Sequence, residues 1–364
     1  MNILIVGEFS AFAKHLKKGF EQLGHRVVIT LTGDGFKQLK ATGEDIFYTE
    51  RVLRFRGKVI SGSSHLFAPK VNRYIQKGLD SRFPNGVDLI IVINYSFLSA
   101  NCFWTGVSVS YLDKQIKKGA KLIMSVCGGD PAQQYSYPEY YEMLGYKQPL
   151  HDSRFDFLLR HADQIIPTIY SYYRATIQYC EKFGYTDAHV HHAIQLPMTL
   201  DDYSIHPCTD RKIMIFHGII RPVAKGTPII KQAMERIQKE FPDRVECVCR
   251  GGMPYDEYVH FFEGVDILVE QTYHNGWGVN AAIGAMKGKC VLAPCGPENE
   301  ENMGIEHIPF VRIGPDSKQI YQALRDLVLH PEKIDQLKVE SRRFMEEYCE
   351  CGIVARKYLE SVGL

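Results

Sequence analysis

At 364 residues the chain exceeds the ~250–300 residues at which single hydrophobic cores stop growing, so about two domains are expected. Hydrophobic residues make up 45% and charged residues 23%, an ordinary globular balance that excludes extended disorder, collagen and coiled coil. Lys and Arg number 43 against 42 Asp and Glu; a formal charge of +1 argues against nucleic acid as the partner.

The short apolar run Ile3–Val6 is followed at once by Glu8, which is not the pattern of a signal peptide. No uncharged apolar run reaches the ~20 residues of a membrane span. Asn2–Val6 predicts a buried strand. Ala11–Leu23 predicts a helix with Phe12, Leu16, Phe20 and Leu23 on one face and Lys14, Lys17 and Lys18 off it. Gly24 ends the helix and Arg26–Thr30 begins the next strand. Such a βαβ opening implies a parallel sheet covered by helices on both sides. Asp88–Ile93, Lys121–Val126 and Gln164–Pro167 read as further strands, with helices at Tyr111–Lys118, Phe155–Ala162 and Ser171–Phe183.

Residues 195–212 carry Pro197, Pro207 and several Asp without helical period, which predicts an inter-domain linker. The rhythm then restarts. Strands are expected at Lys212–Phe216, Val245–Cys249, Asp266–Val269, Cys290–Ala293 and Phe310–Ile313. Helices are expected at Gly226–Phe241, Tyr255–Phe262, Val279–Lys287 and Ser317–Leu329, and two more between Pro331 and Leu359, parted near Cys351–Gly352. The expected fold class is α/β, two doubly wound Rossmann-like domains facing across a cleft. The expected division is 1–196, a linker 197–211, 212–340, and C-terminal helices 341–364 packing back toward the first domain. In such folds ligands sit at the carboxyl ends of the strands.

Four loops at those ends carry candidate chemistry. Gly7-Glu8-Phe9-Ser10 has one glycine, not a G-x-G-x-x-G fingerprint, and suits either a tight turn or a ligand loop. Cys127-Gly128-Gly129-Asp130 follows a strand; Asp130 either bonds a sugar hydroxyl or caps the next segment. Five tyrosines follow within Tyr135–Tyr146, suited to stacking on a sugar ring or to plain packing. In the third loop, His217 to Thr227, Arg221 and Lys225 bracket a turn that ends at a helix start, an arrangement suited to a diphosphate. In the fourth, Gly276-Trp277-Gly278-Val279-Asn280 runs into a helix whose first amides form an anion site. The ten cysteines are scattered. Cys247/Cys249 and Cys349/Cys351 have one intervening residue where zinc knuckles have about two to four, so free thiols in the reducing cytosol are expected, with no metal.

The third and fourth loops, with Asp266-Ile267-Leu268-Val269 and Met286-Lys287-Gly288-Lys289-Cys290-Val291-Leu292 in the same order and separation, resemble the C-terminal domain of GT-B glycosyltransferases. The resemblance is to glycosyltransferase family 4 (GT4), of the bacterial polysaccharide-assembly type, and covers residues 212–364 well. It implies a metal-independent, retaining enzyme that moves a sugar from a nucleotide-diphosphate sugar, its co-substrate, to a glycan or lipid-linked acceptor, with no cofactor. Arg221 and Lys225 would hold the diphosphate, with Asp130 facing them as a third catalytic group. Gly218, Arg250, Gly251, Gly276, Trp277, Gly278, Val279, Asn280 and Glu298 would bind the donor. Gly7, Ser10, Cys127, Gly128 and Gly129 would line the acceptor side.

The family's two glutamates, eight positions apart, fall at Asn275 and Ile283, or one residue further on at Gly276 and Gly284, and neither register supplies a carboxylate. Glu270, Glu298 and Glu301 lie near enough in the pattern to substitute, or are solvated loop acids. The alternatives are therefore an inactive glycosyltransferase-like protein that binds nucleotide or glycan, or the same fold with a changed reaction such as epimerisation. Arg221 and Lys225, read as loop residues, are expected to be removable without harm to the fold. Lys14, Lys17 and Lys18, and separately Arg51, Arg54, Arg56 and Lys58, are either solvated faces or a means of peripheral contact with the inner membrane face.

Overall fold

Ile3, Leu4, Ile5 and Val6 are buried on both faces of the pleat, as a central parallel strand requires. The structure is a computed structural model that describes all residues except 34–38, 50, 102, 147–149, 201–204, 209–210, 220, 254–256 and 258–259. Strand β1 (Asn2–Val6) leads through α1 (Phe12–Gln22) to β2 (Arg26–Leu31), parallel to β1 with Ile3 opposite Val27. Then come β3 (Ile46–Phe47), a hairpin of β4 (Arg54–Phe55) and β5 (Lys58–Val59), and the long helix α2 (Ser64–Arg82). The half continues with β6 (Leu89–Val92), the short pair β7 (Leu98–Ser99) and β8 (Val107–Ser108), α3 (Val109–Ile116) and β9 (Lys121–Val126). Helices α4 (Pro131–Ser136), α5 (Pro138–Met143) and α6 (Ser153–His161), then β10 (Gln164–Pro167) and α7 (Tyr170–Phe183), complete it. The sheet order is β3-β2-β1-β6-β9-β10, all parallel. Counted by appearance in the sheet, that is the 3-2-1-4-5-6 order of dinucleotide-binding folds, with its switch point between β1 and β6.

The second half opens with β11 (Ile213–Ile219), α8 (Pro222–Lys225), α9 (Thr227–Glu240), β12 (Val245–Gly251) and β13 (Ile267–Val269). It continues with α10 (Val279–Met286), β14 (Cys290–Ala293), α11 (Pro297–Met303), β15 (Val311–Arg312) and α12 (Ser317–Leu329). Its sheet, β12-β11-β13-β14-β15, is again wholly parallel. This is the 2-1-3-4-5 order, whose switch point lies between β11 and β13. Phe216, Leu268 and Val291 face α10 and α13 (Pro331–Phe344) on one side, while Ile215, Ile267 and Leu292 face α9 and α12 on the other. After a π-type turn at Met345–Cys349, the final helix α14 (Cys351–Ser361) returns to lie along α1, and its Tyr358 hydroxyl meets Ser125 Oγ at 2.9 Å.

Several sequence expectations shift. Strand β11 runs on through His217-Gly218-Ile219, read above as a loop, and β12 runs past its expected end at Cys249 through Arg250-Gly251, because the two strands keep pairing to Ile219↔Gly251. Helix α13 runs across position 340, so the chain has no break there. Of the helix expected at 255–262, positions 255–256 and 258–259 lie outside the described residues; 257, 260 and 261 are helical, and Phe262–Gly264 is a 3-10 turn. The segment 197–211 is not a free tether in its described part. Met198 donates to Cys349 O (2.7 Å) and accepts from Cys351 N (2.9 Å), and Lys338 Nζ donates to His206 O at 2.7 Å. Lys17, read as a solvated cation, is buried because it pairs with Asp45 at 2.8 Å. Among the described residues, no helix is long and apolar enough to cross a membrane.

Candidate functional site

The switch point of the second sheet brings the third and fourth loops together. Strand β11 ends at Ile219; after it Arg221 stands exposed at the start of α8, with no ion pair among the described residues. Lys225, at the other end of α8, is buried and its Nζ lies 2.5 Å from Glu270 Oε1, just past β13. The two cations of the expected clamp are therefore unequal: one is open to solvent, and the other is already matched by a carboxylate 1% exposed. The Glu270 carboxylate also accepts from Gln271 N at 2.8 Å. It faces the start of α10, where a Cβ at Gly278 would lie 3.8 Å from Oε1. Below the pair, His217 spans the strands, Nδ1 at 2.8 Å from Val269 O and Nε2 at 2.9 Å from Thr227 Oγ1. Burial pushes its pKa down to about 4, so it is neutral there.

The first amides of α10 have no side-chain cap. Asn280, in its first turn, is nine-tenths buried, and neither its amide nitrogen nor its oxygen has a partner. Thr272 Oγ1, buried against Gly226, is likewise unpaired. Unsatisfied buried polar atoms are uncommon in native folds, and an ordered water, an ion or a polar ligand accounts for them. Gly276 is required for a packing reason: at φ 153° a Cβ would lie 2.7 Å from Ile169 Cβ of the first half.

Asn275, in the fourth loop, binds the loops together. It accepts from Gly296 N (2.7 Å) and Asn299 Nδ2 (2.6 Å) and donates to Glu298 Oε2 (2.9 Å). The Glu298 carboxylate, carried by α11, is thereby held against this loop. Hydrogen bonding from its own backbone amide and from Asn275, with Arg312 and Arg174 nearby, holds Glu298 below the usual range. Beside it a cavity of about 410 Å³ opens at the ends of β13, β14 and β15, lined among others by His274, Asn275, Cys295 and Arg312. Glu301 is exposed on α11.

Four expected donor residues are placed as follows. The Trp277 side chain, 1% exposed, is core: its ring sits 5.3 Å from Phe310 and 6.0 Å from Phe344, so only its backbone belongs to the loop. Gly218 lies within β11, not in a loop. Arg250 and Gly251 end the edge strand β12, where Arg250 is exposed and paired with Glu257 at 2.8 Å. Val279 and Asn280 do open α10.

The first half contributes less open chemistry than expected. Gly7 is glycine because the Phe97 ring lies on it; a Cβ would come within 2.0 Å of Phe97 Cδ2. Ser10 sits at φ 56° before α1, whose first amides, Ala13 N and Lys14 N, are met by Glu8 at 3.3 and 3.0 Å. Glu8 is fully buried, and this capping role was not read from the sequence. Of the two roles weighed for Asp130, the structure has the cap. The side chain accepts from Gln133 N (3.2 Å) and Gln133 Nε2 (3.0 Å), and burial raises its pKa to about 6. Gly128 O accepts from Asn94 Nδ2 (2.8 Å) and Gly129 N donates to Gln133 Oε1 (2.8 Å). Burial pushes the Cys127 thiol up to about 12, which makes it unreactive.

The tyrosine-rich stretch crosses to the other half. Tyr137 and Tyr140 pack edge-on against His274, at 4.9 and 4.1 Å between ring centres, and the Tyr140 hydroxyl lies 3.4 Å from Ala224 O. His274 adopts φ 69°, and burial lowers its pKa to about 4. Its only sequence signal was its place beside the fourth loop.

Among the described residues no group of three His, Cys, Asp or Glu side chains could hold a metal ion. No protein-family model matches the chain, and no curated protein matches it. Solved structures do. Anabaena HepE in complex with UDP and glucose is similar with a TM-score of 0.64 at 13% identity, over 100% of each chain. Sucrose-phosphate synthase from Thermosynechococcus elongatus is similar with a TM-score of 0.60 at 12% identity, over 99% of this chain and 98% of its own. The lipopolysaccharide outer core galactosyltransferase WaaB follows with a TM-score of 0.54 at 11% identity, over 100% and 99%. Two wholly parallel, doubly wound sheets, matched from end to end by these enzymes, give the chain the GT-B fold.

Proposed function

We propose that the chain is a glycosyltransferase that moves a sugar from a nucleotide-diphosphate sugar to a glycan or lipid-linked acceptor. In this reading it is metal-independent, hexosyltransferase-like and retaining, works at the cytoplasmic side, and serves surface polysaccharide or glycoconjugate assembly. The observation that carries it is the pairing of the open cation Arg221 with the unsatisfied Asn280 amide and uncapped helix start at one switch point. HepE, of the same fold, has been solved with UDP and with UDP-glucose. Cleaving the sugar–phosphate bond builds negative charge on the β-phosphate. Arg221, the α10 amides and Asn280 meet that charge, and losing one preorganised donor of this kind costs about 10²–10³ in rate.

In the proposed site Lys225 does not act as a bare cation. Glu270 neutralises it, so the pair orients its partners and leaves Arg221 as the charge that attracts the diphosphate. Glu298, tied to Asn275, provides the carboxylate beside the donor sugar. The acceptor enters from the Gly7 and Gly128 side. The matched Lys225–Glu270 pair also favours the second reading, a protein that binds nucleotide without turnover.

The test is a thermal-shift screen against nucleoside diphosphates and their sugar conjugates, with hydrolysis of each hit followed. Binding raises the melting temperature by mass action. Arg221→Ala should remove the shift while leaving the unliganded melting temperature in place. A hit without turnover under any acceptor would select the second reading, and a wild-type protein silent to every nucleotide would overturn both.

A further inference from the structure

The first half carries a surface unlike the rest of the molecule. From Arg51 to Lys77 there are seven cations (Arg51, Arg54, Arg56, Lys58, Lys70, Arg73 and Lys77) and no Asp or Glu, in a chain whose net charge is +1. The same segment exposes large apolar groups. Phe55 is 67% and Leu66 69% exposed, and every residue from 53 to 60 is exposed. Such a cluster is more than the scattered apolar residues of an ordinary surface.

The pieces form one face. The hairpin turns at Arg56-Gly57 with φ 47° and 80°, a tight turn that projects Phe55 and its neighbours. It is tied to the start of α2 by Leu53 N donating to Ser63 Oγ at 2.9 Å. On α2, Leu66, Lys70, Arg73, Tyr74 and Lys77 recur at helical spacing on the exposed side, opposite the buried Ala68, Val71, Ile75 and Leu79. The turn bearing Phe103 and Trp104 lies against the same helix. Asn72 Nδ2 donates to Trp104 O at 2.8 Å, and the His65 ring lies about 6 Å from both aromatic rings. Phe103 is 59% exposed.

We propose that this face docks on an anionic lipid bilayer. Cations over an apolar and aromatic rim match the interface of such a bilayer, where charge attracts headgroups and Phe, Leu and Trp enter the acyl boundary. Nucleic acid would be met by the cations but would leave the aliphatic side chains in water. The hairpin follows the carboxyl end of β3 and the Phe103 turn follows that of β6, so the face borders the end of the sheet where Gly7 and Gly128 lie. This placement rests on the acceptor side assigned above and brings a lipid-linked acceptor to the cleft from the membrane. Helix α1 takes no part, since α14 covers it and Lys17 is buried.

The test is co-sedimentation of the full chain with vesicles of phosphatidylcholine alone or mixed with phosphatidylglycerol. Binding should require phosphatidylglycerol and weaken as salt rises. Arg54→Glu with Arg56→Glu and Lys58→Glu should weaken it by about a hundredfold or more. Phe55→Ser with Leu66→Ser should weaken it without changing the salt dependence. All five positions are exposed, so melting temperature and nucleotide-induced shift should stay as in wild type. No vesicle binding by wild type, variants that bind as it does, or a dimer in solution that these changes dissociate would each overturn the proposal. Failure here with an intact nucleotide shift leaves the transferase reading standing.

Discussion

Lys225→Met is the most informative single change, because its effect on the fold must be known before any effect on ligand is read. The substitution leaves the Glu270 carboxylate 1% exposed without its cation. Removing one member of a buried pair costs about 3–5 kcal/mol. Glu270 retains the Gln271 N–H at 2.8 Å and the nearby start of α10, both favourable to a carboxylate, so the lower end, about 3 kcal/mol, is expected. At about 2–4 °C per kcal/mol for a unit of 150–250 residues, the melting temperature falls by roughly 6–12 °C. Lys225→Met with Glu270→Leu removes both charges and should recover most of the loss, to within about 1 kcal/mol of wild type. Urea unfolding of wild type, both single variants and the double closes the cycle, the double being expected to lose far less than the two singles together. Additive single effects, or a Lys225→Met variant as stable as wild type, would refute the buried pair. The view of Lys225 as a loop cation removable without cost is corrected on the same ground.

Acid should destabilise the protein through its buried rings. His217 and His274 titrate near 4 when folded and near 6.5 when unfolded. Between those values only the unfolded chain takes the protons, so stability falls on acidification by about 1.4 kcal/mol per pH unit for each ring. Asp130 opposes this: raised to about 6, it takes its proton first in the folded state, and its burial penalty is relieved as pH falls from 6 toward its ordinary 3.8. These three groups together give a slope between pH 6 and pH 4 of about one histidine, to which the lowered His25 and the lowered carboxylates of Asp152, Asp266 and Glu350 add, and His217→Asn should reduce the slope in urea titrations at several pH values. Asp130→Asn keeps a competent cap and should stabilise the protein at pH 8 by as much as about 3 kcal/mol; no gain there would show that the buried carboxylate carries no penalty. Trp277→Ala should cost about 3–5 kcal/mol in unfolding experiments, while Trp277→Phe should fold and still show the nucleotide shift, since the indole is core.

What was legible in the sequence follows from burial. Parallel strands covered on both faces are short apolar runs, so Asn2–Val6, Gln164–Pro167 and Cys290–Ala293 stand out, as does the helix Ser317–Leu329 with its apolar stripe. Helix α2 did not, because its outer face carries Leu66 and Tyr74, and Pro69 and Gly78 interrupt its pattern. Strands of two residues, such as β3 and β15, have no period to detect. At the site, Arg221 and the start of α10 were visible as local motifs. The partner of Lys225 lies 45 residues away, just past a strand adjacent only in the folded sheet, and Glu298 reaches Asn275 from a helix that follows in the chain. Local spacing carries no information about such pairs.

Met198 has its backbone bonded on both sides, to Cys349 O and Cys351 N, at the place where the chain passes from one half to the other and back again. The two crossings therefore form a double-threaded joint rather than two loose tethers. The return thread ends in the helix that closes over α1, so the first half lacks part of its own covering until the last helix has been made. Synthesis order and assembly order are thus different in this molecule: the half made first is completed last.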